Sequence, residues 1–247
     1  WLATVVVSGI SYLSYLLKRY VFHESGTLVS GIIGGLYSST ATISVLARKS
    51  RKASEQEATD YVAAMLLAVS MMFLRFMILI LIFSREIFLS IYPYLLTMAV
   101  VAAIVAWFIH SRQKRPENQS AETEEDDSSN PLEFKVALIF AVLFVIFTFL
   151  THYTLVYAGT GGLNLLSFVS GFSDITPFIL NLLQNTGSVA ALIITACSMQ
   201  AIISNIMVNM FYALFFAGKG SKLRPWILGG FGVVIVCNLV LLLFFYI

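Results

Sequence analysis

Eight long apolar stretches, at roughly 1–17, 27–47, 61–83, 87–109, 135–158, 161–183, 188–217 and 225–247, take up nearly the whole of this chain. No feature constrains its fold more. The charged fraction is 11% against 59% apolar, and mean hydropathy is +0.88, far from the composition of a water-soluble domain of 247 residues. Backbone groups in hydrocarbon must be satisfied within the segment. Continuous apolarity without period-two alternation excludes a barrel, so the expected fold is an all-α polytopic membrane protein.

The second stretch is a poor continuous helix. Gly34-Gly35-Leu36-Tyr37-Ser38-Ser39-Thr40-Ala41-Thr42 packs two glycines and a run of hydroxyls into an apolar segment, and such side chains compete for backbone groups and satisfy carbonyls freed by a break. The same residues also suit an ordinary helix–helix contact. The sixth stretch echoes it in Gly171-Phe172-Ser173-Asp174-Ile175-Thr176-Pro177, where the proline removes a backbone donor and a break near Ser170 to Thr176 is expected. Between the halves lies a polar linker that runs from Arg112, Lys114 and Arg115 into Glu122, Glu124, Glu125, Asp126 and Asp127. The expected organisation is therefore a first four-segment repeat over 1–110, a charged flexible linker over 111–131 and a second four-segment repeat over 132–247.

Basic residues arbitrate the direction of the repeats. If all eight segments cross, one side collects Arg48, Lys49, Arg51, Lys52, Arg112, Lys114, Arg115 and Lys135, and the other collects Lys18, Arg19, Arg85, Lys219, Lys222 and Arg224, which is hardly a bias. If the second and sixth segments dip in and return, Arg85 alone stands against all the others. The positive-inside rule favours the second arrangement, an inverted pair of repeats with segments two and six broken or re-entrant and their tips meeting near the midplane.

Such a meeting would gather Ser38, Ser39, Thr40 and Thr42 from one tip with Ser173, Asp174 and Thr176 from the other. Arg75 would face them from segment three, and Asn205 with Asn209, four apart on one face, from segment seven. Arg75 sits deep in Met72-Phe73-Leu74-Arg75-Phe76-Met77, where a guanidinium costs roughly 2.5–3.5 kcal/mol on insertion scales and needs a partner. Asp174, the one acidic residue well inside an apolar segment, is the obvious candidate. Broken helices aimed at a midplane site bind ions and substrates in many secondary transporters. A cation would sit with Asp174, hydroxyls and carbonyls, and an anion with Arg75 and helix N-termini; a single carboxylate is few for a tight divalent site. The expected function is membrane transport of a small ion or solute at this site. The alternative is a non-transporting regulatory or scaffold protein in which Arg75 and Asp174 form a structural pair.

Other chemistry is poorly supported. A dyad protease needs a second deep aspartate. His23 and His110 lie at segment ends, and His152 reads as a packed or carbonyl-bonded side chain. Cys197 and Cys237 read as small hydrophobes in apolar helices. There is no metal-ligand spacing, no nucleotide loop, no call for a cofactor and nothing for nucleic acid, so no enzyme is expected. Ser8, Ser11 and Ser14 form a small polar stripe suited to helix packing, Gly229, Gly230 and Gly232 a packing face, and Tyr92-Pro93-Tyr94 with Trp107 the rings of an interface. The partners are the bilayer and an unidentified solute, with assembly as a homodimer left open. The chain opens at Trp1 without a methionine or a charged leader, so an upstream segment is expected.

Ser8-Gly9-Ile10-Ser11, the Gly34 to Thr42 run followed by Leu46-Ala47-Arg48, Met72-Phe73-Leu74-Arg75, Asn130-Pro131-Leu132-Glu133 and Ser170-Gly171-Phe172-Ser173-Asp174 together resemble a known group. The chain looks like the uncharacterised membrane domain, domain of unknown function 4010, that commonly follows MgtC/SapB-type proteins. That resemblance implies a bacterial or archaeal cell membrane, an MgtC-like part before Trp1 and a loose tie to magnesium, which weakly favours a divalent cation as cargo and Asp174 as its ligand. Where the family tends to carry a second acid and a lysine, this chain has Thr176 and Asn209, an acid and a base gone together.

Overall fold

The computed structural model describes residues 26–51, 53, 55–112, 134–184, 189–218 and 223–246, together with Val5 and Gly9. The rest of the first apolar segment, with its serine stripe, Lys18 and Arg19, and nearly all of the charged linker lie outside the described residues. What remains is all helix, without a strand among the described residues: α1 (Thr27–Lys49), α2 (Glu55–Phe83), α3 (Arg85–Ser111), α4 (Phe134–Ser170), α5 (Ile175–Gln184), α6 (Ala191–Ala217) and α7 (Arg224–Tyr246). Among the described residues six helical stretches are long and apolar enough to cross a bilayer, which makes the chain an integral membrane protein.

The sixth segment is not such a helix. Its apolar run is divided into Gly161–Ser170 and Ile175–Gln184, each about half a crossing. The first of these is continuous with the preceding segment except at Gly159, whose φ of 59° and ψ of −148° only glycine holds without strain. Turn hydrogen bonds from Gly171, Phe172 and Ser173 to the carbonyls of Phe168, Val169 and Ser170 close the helix. Pro177 then falls in the first turn of α5, where its missing donor costs nothing, so it starts a helix instead of kinking one.

The second segment breaks at one residue. Ser38 has φ −157° and ψ 109°, extended backbone inside an otherwise helical run. A Cβ placed on Gly34 would stand 2.5 Å from Thr42 Oγ1. Eight residues of unbroken helix would separate those positions by about 12 Å, so the two halves of α1 fold back on each other. The packing against α2 agrees. Gly31 meets the Ala64 backbone and Gly35 meets that of Ala68, with only 2.5 Å from an added Cβ on Gly35 to the Ala68 Cα. These partners advance together, so the first half of α1 runs parallel to α2, although only a short turn joins the two helices. The second half must return before α2 begins.

In the latter part of the chain a helical stretch also lies along the long helix that follows it. Cys197 Sγ approaches Asn164 Oδ1 at 3.6 Å, Ser167 Oγ bonds Gln200 Oε1 at 3.0 Å and Asn205 Nδ2 donates to the Gly171 carbonyl at 3.2 Å, so Gly161–Ser170 runs parallel to α6. The first two pairs are 33 residues apart. Gly31 and Ala64, and Gly35 and Ala68, are separated by the same number.

α2 and α6 hold the centre. From Val62 to Ile80 most residues of α2 are buried, and so are most of those of α6. Arg51 Nη2 donates to the Phe215 carbonyl at 3.2 Å and the Arg48 guanidinium lies 4.3 Å from the Phe216 ring centre, so the chain enters α2 beside the end of α6 and the two helices are antiparallel. α3 ties back to α2 through His110 Nδ1 and Asp60 Oδ1 at 2.6 Å and through Ser70 Oγ to the Ala99 carbonyl at 2.8 Å. α7 closes the bundle through Asn238, whose Oδ1 accepts from Tyr94 at 2.5 Å. Tyr94 is thus a buried strut and not an interfacial ring, whereas Trp107 is 68% exposed. Of the three glycines on α7 only Gly230 packs, against Leu66 and Ile109. His152 is exposed on the outer face of α4 with its ring edge on Tyr153, neither packed inside nor carbonyl-bonded. The outward apolar residues, among them Tyr157 and Phe244, form the surface that hydrocarbon would cover.

Candidate functional site

The break in α1 and the turn before α5 come together over α2 and α6, and between them lies a cavity of about 370 Å³. Its walls hold Ser38, Ser39, Thr40, Ala41 and Ser44 from α1; Met72, Arg75 and Phe76 from α2; Phe172 to Thr176 from the second break; and Asn205, Val208 and Tyr212 from α6. Of the residues the sequence singles out, Ser38, Ser39, Thr40, Arg75, Ser173, Asp174, Thr176 and Asn205 share this wall. Thr42 and Asn209 do not. Thr42 faces back onto Gly34, because it lies one turn into the returning half of α1. Asn209 is fully buried behind the wall and donates to Asn205 Oδ1 at 3.1 Å.

Each break leaves one helix end with free carbonyls and the next with free N–H groups. The N–H ends are capped locally: Ser38 Oγ accepts from Ala41 N at 3.3 Å, and Asp174 Oδ1 accepts from Thr176 N at 2.9 Å. The carbonyl ends are capped from the long helices. Arg75 Nη1 donates to the Tyr37 carbonyl at 2.6 Å, and Asn205 Nδ2 donates to the carbonyls of Gly171 at 3.2 Å and Ser173 at 3.5 Å. Arg75 on α2 and Asn205 on α6 therefore perform the same task in the two halves.

Arg75 does more, because its second terminal nitrogen, Nη2, donates to Thr176 Oγ1 at 2.5 Å and so reaches across to the other break. The expected ion pair with Asp174 is not direct. Arg75 is 8% exposed and satisfied by a carbonyl and a hydroxyl, Asp174 is exposed to the cavity within electrostatic reach, and Thr176 binds both, with its hydroxyl to one and its N–H to the other. Two polar members of the wall, Ser44 and Tyr212, escape the sequence reading, as do its apolar members. Ser44 lies one turn beyond Thr40, whose carbonyl accepts from its hydroxyl at 2.8 Å; Tyr212 is seven residues after Asn205 and so on the same face of α6, a spacing that could have revealed it.

Among the described residues no group of three or more His, Cys, Asp or Glu side chains comes together. Asp174 is the single carboxylate on the cavity wall and shares it with a guanidinium, a donor set that fits a divalent cation poorly. Two opposite charges, several hydroxyls and apolar flanks can instead orient a small polar solute.

No solved structure matches the chain. A protein of Aquifex aeolicus described as uncharacterized is 25% identical over 227 residues, which is 90% of this chain and 96% of that protein. The family model for a domain of unknown function, DUF4010, matches residues 5–217, and the chain belongs to that family.

Proposed function

We propose that the protein is a secondary transporter or ion-conducting protein, with two inverted repeats whose broken segments re-enter from opposite faces and enclose a midplane site. The observation that carries this reading is the cavity, where two helix breaks from distant parts of the chain meet, bridged by a buried arginine. The parallel run of each broken segment along its following long helix, the shared 33-residue separation and the antiparallel α2 and α6 support inversion. Non-helical backbone deep in a bilayer is tolerated where it lines a cavity, and helix ends meeting at the midplane are a recurrent transporter device. The resemblance to the domain that follows MgtC/SapB-type proteins adds a bacterial or archaeal cell membrane as the setting. It also adds magnesium as a cargo to include in the assay, although one carboxylate beside Arg75 speaks against it.

The test is flux into proteoliposomes holding the purified chain, for chloride, sodium, magnesium, individual α-amino acids, glycine betaine and uncharged solutes in turn, with Asp174→Asn as the comparison. A flux that the substitution abolishes supports transport; no flux of any probe refutes it. A second reading, a non-transporting scaffold, is favoured by one observation: both terminal nitrogens of Arg75 are occupied by the protein's own groups. On that reading the double change Arg75→Leu with Asp174→Leu leaves folding and biological function intact, as apolar replacement of buried charges often does.

A further inference from the structure

We infer that the cavity takes a small zwitterion, a solute with one carboxylate and one cationic nitrogen of the α-amino-acid or betaine class. This rests on the transport reading and narrows it. Size is the first argument. A water molecule takes up about 30 Å³ of liquid, so about 370 Å³ far exceeds what a bare ion fills and lies at the small end of organic-ligand pockets.

Charge is the second. The wall presents one guanidinium and one carboxylate, and they are not consumed by each other. Arg75 has five N–H donors, two of them engaged here, and Asp174 has acceptor positions beyond the one that takes Thr176 N. Thr176, fully buried and bonded to both, keeps the two poles apart. A bare anion would satisfy Arg75 but face Asp174, and a bare cation the reverse. Either way a like-charge contact is left over, and it disfavours the bound ion. A zwitterion satisfies both poles and leaves the site neutral.

Placement is the third. Ser39 and Thr40 begin the returning half of α1, where their hydroxyls beside Arg75 favour a carboxylate. Asp174 and Ser173 form the opposite pole. Met72, Phe76, Val208 and Ile175 supply apolar surface for the rest of the solute.

The experiment is equilibrium binding to the detergent-purified chain. The probes are individual α-amino acids and glycine betaine, set against propionate, which has only the negative pole, and alaninamide, which has only the positive one. At least one zwitterion is expected to bind, with propionate and alaninamide at least tenfold weaker. Asp174→Asn should weaken the zwitterion by roughly tenfold, the loss of one charge contact at an exposed carboxylate, and should narrow its advantage over propionate. Because Asp174 is exposed and caps only α5, this variant disturbs the buried packing less than one at Arg75, and the wild-type probe comparison needs no variant at all. Preference for a singly charged probe, or zwitterion binding indifferent to Asp174→Asn, overturns the inference. If no zwitterion binds while the proteoliposomes carry an ion flux that depends on Asp174, the inference fails and the transport reading stands. If neither is seen, both fail.

Discussion

Thr176→Val gives the cleanest test of how Arg75 is held. Valine has nearly the volume of threonine, so no cavity opens. The backbone N–H that bonds Asp174 is untouched, and only the Oγ1 acceptor for Arg75 Nη2 is lost. A hydrogen bond to a charged group is worth about 1.5–3 kcal/mol, and burial leaves little water to replace it. By the scaling for a chain of this length the loss corresponds to roughly 3–12 °C in Tm. Thr176→Ser keeps the hydroxyl and gives up only a methyl group, about 1 kcal/mol. The assay is unfolding of the purified protein in mixed micelles, run as a double-mutant cycle with Arg75→Met. With the guanidinium gone, Thr176→Val should cost no more than about 0.5 kcal/mol. An equal cost in both backgrounds refutes the bridge between the two breaks, since the hydroxyl would then be serving something other than Arg75.

Three further outcomes test the fold around this site. Gly35→Leu should destabilise by at least about 1–3 kcal/mol in the same unfolding assay, because its Cβ meets the Ala68 backbone, whereas Gly229→Leu, with nothing nearby, should stay within about 0.5 kcal/mol. Tyr94→Phe leaves buried Asn238 Oδ1 without its donor and should cost about 1–3 kcal/mol, a loss that a parallel Tyr92→Phe does not produce. Single cysteines at Gly26 and Arg51, in a background without Cys197 and Cys237, should both react with an impermeant thiol reagent from the same side of the membrane; labelling from opposite sides removes the hairpin reading of α1.

Much of this architecture is written in residue types. Apart from the divided sixth segment, the apolar runs among the described residues mark the membrane-length helices closely, because hydrocarbon admits little else. The Gly34 to Thr42 and Gly171 to Pro177 runs mark the breaks, because glycine and hydroxyl side chains tolerate an interrupted ladder. The partners of Arg75 were less legible. A deep arginine announces that it needs a partner, and Asp174 is the conspicuous choice, yet the groups it finds are the Tyr37 carbonyl and the Thr176 hydroxyl. Any residue at 37 offers the same carbonyl, and only the break at Ser38 frees it, so the side chain there carries no signal. Thr42 was misplaced for a related reason. A run of hydroxyls looks like one continuous lining until the fold shows that the returning half turns Thr42 back onto Gly34.

Why the two halves cap the same carbonyl end with side chains of such different reach follows from the glycine at 171. A Cβ there would run into the Ser204 side chain and stand 2.8 Å from Asn205 N, so α6 lies directly against the second break and a short asparagine reaches its carbonyls. At the first break the capped carbonyl is that of Tyr37, and the longer arginine side chain reaches it with a second nitrogen left to cross to Thr176. Gly171→Ala should therefore act through Asn205. The added methyl pushes the turn off α6, at a cost of about 1–3 kcal/mol for overpacking, and stretches the bonds that Asn205 makes. Asn205→Ala should then cost less in the Gly171→Ala background than in the wild type. Strict additivity of the two changes would mean that close approach at Gly171 and capping by Asn205 are independent, and the difference between arginine and asparagine would need another cause.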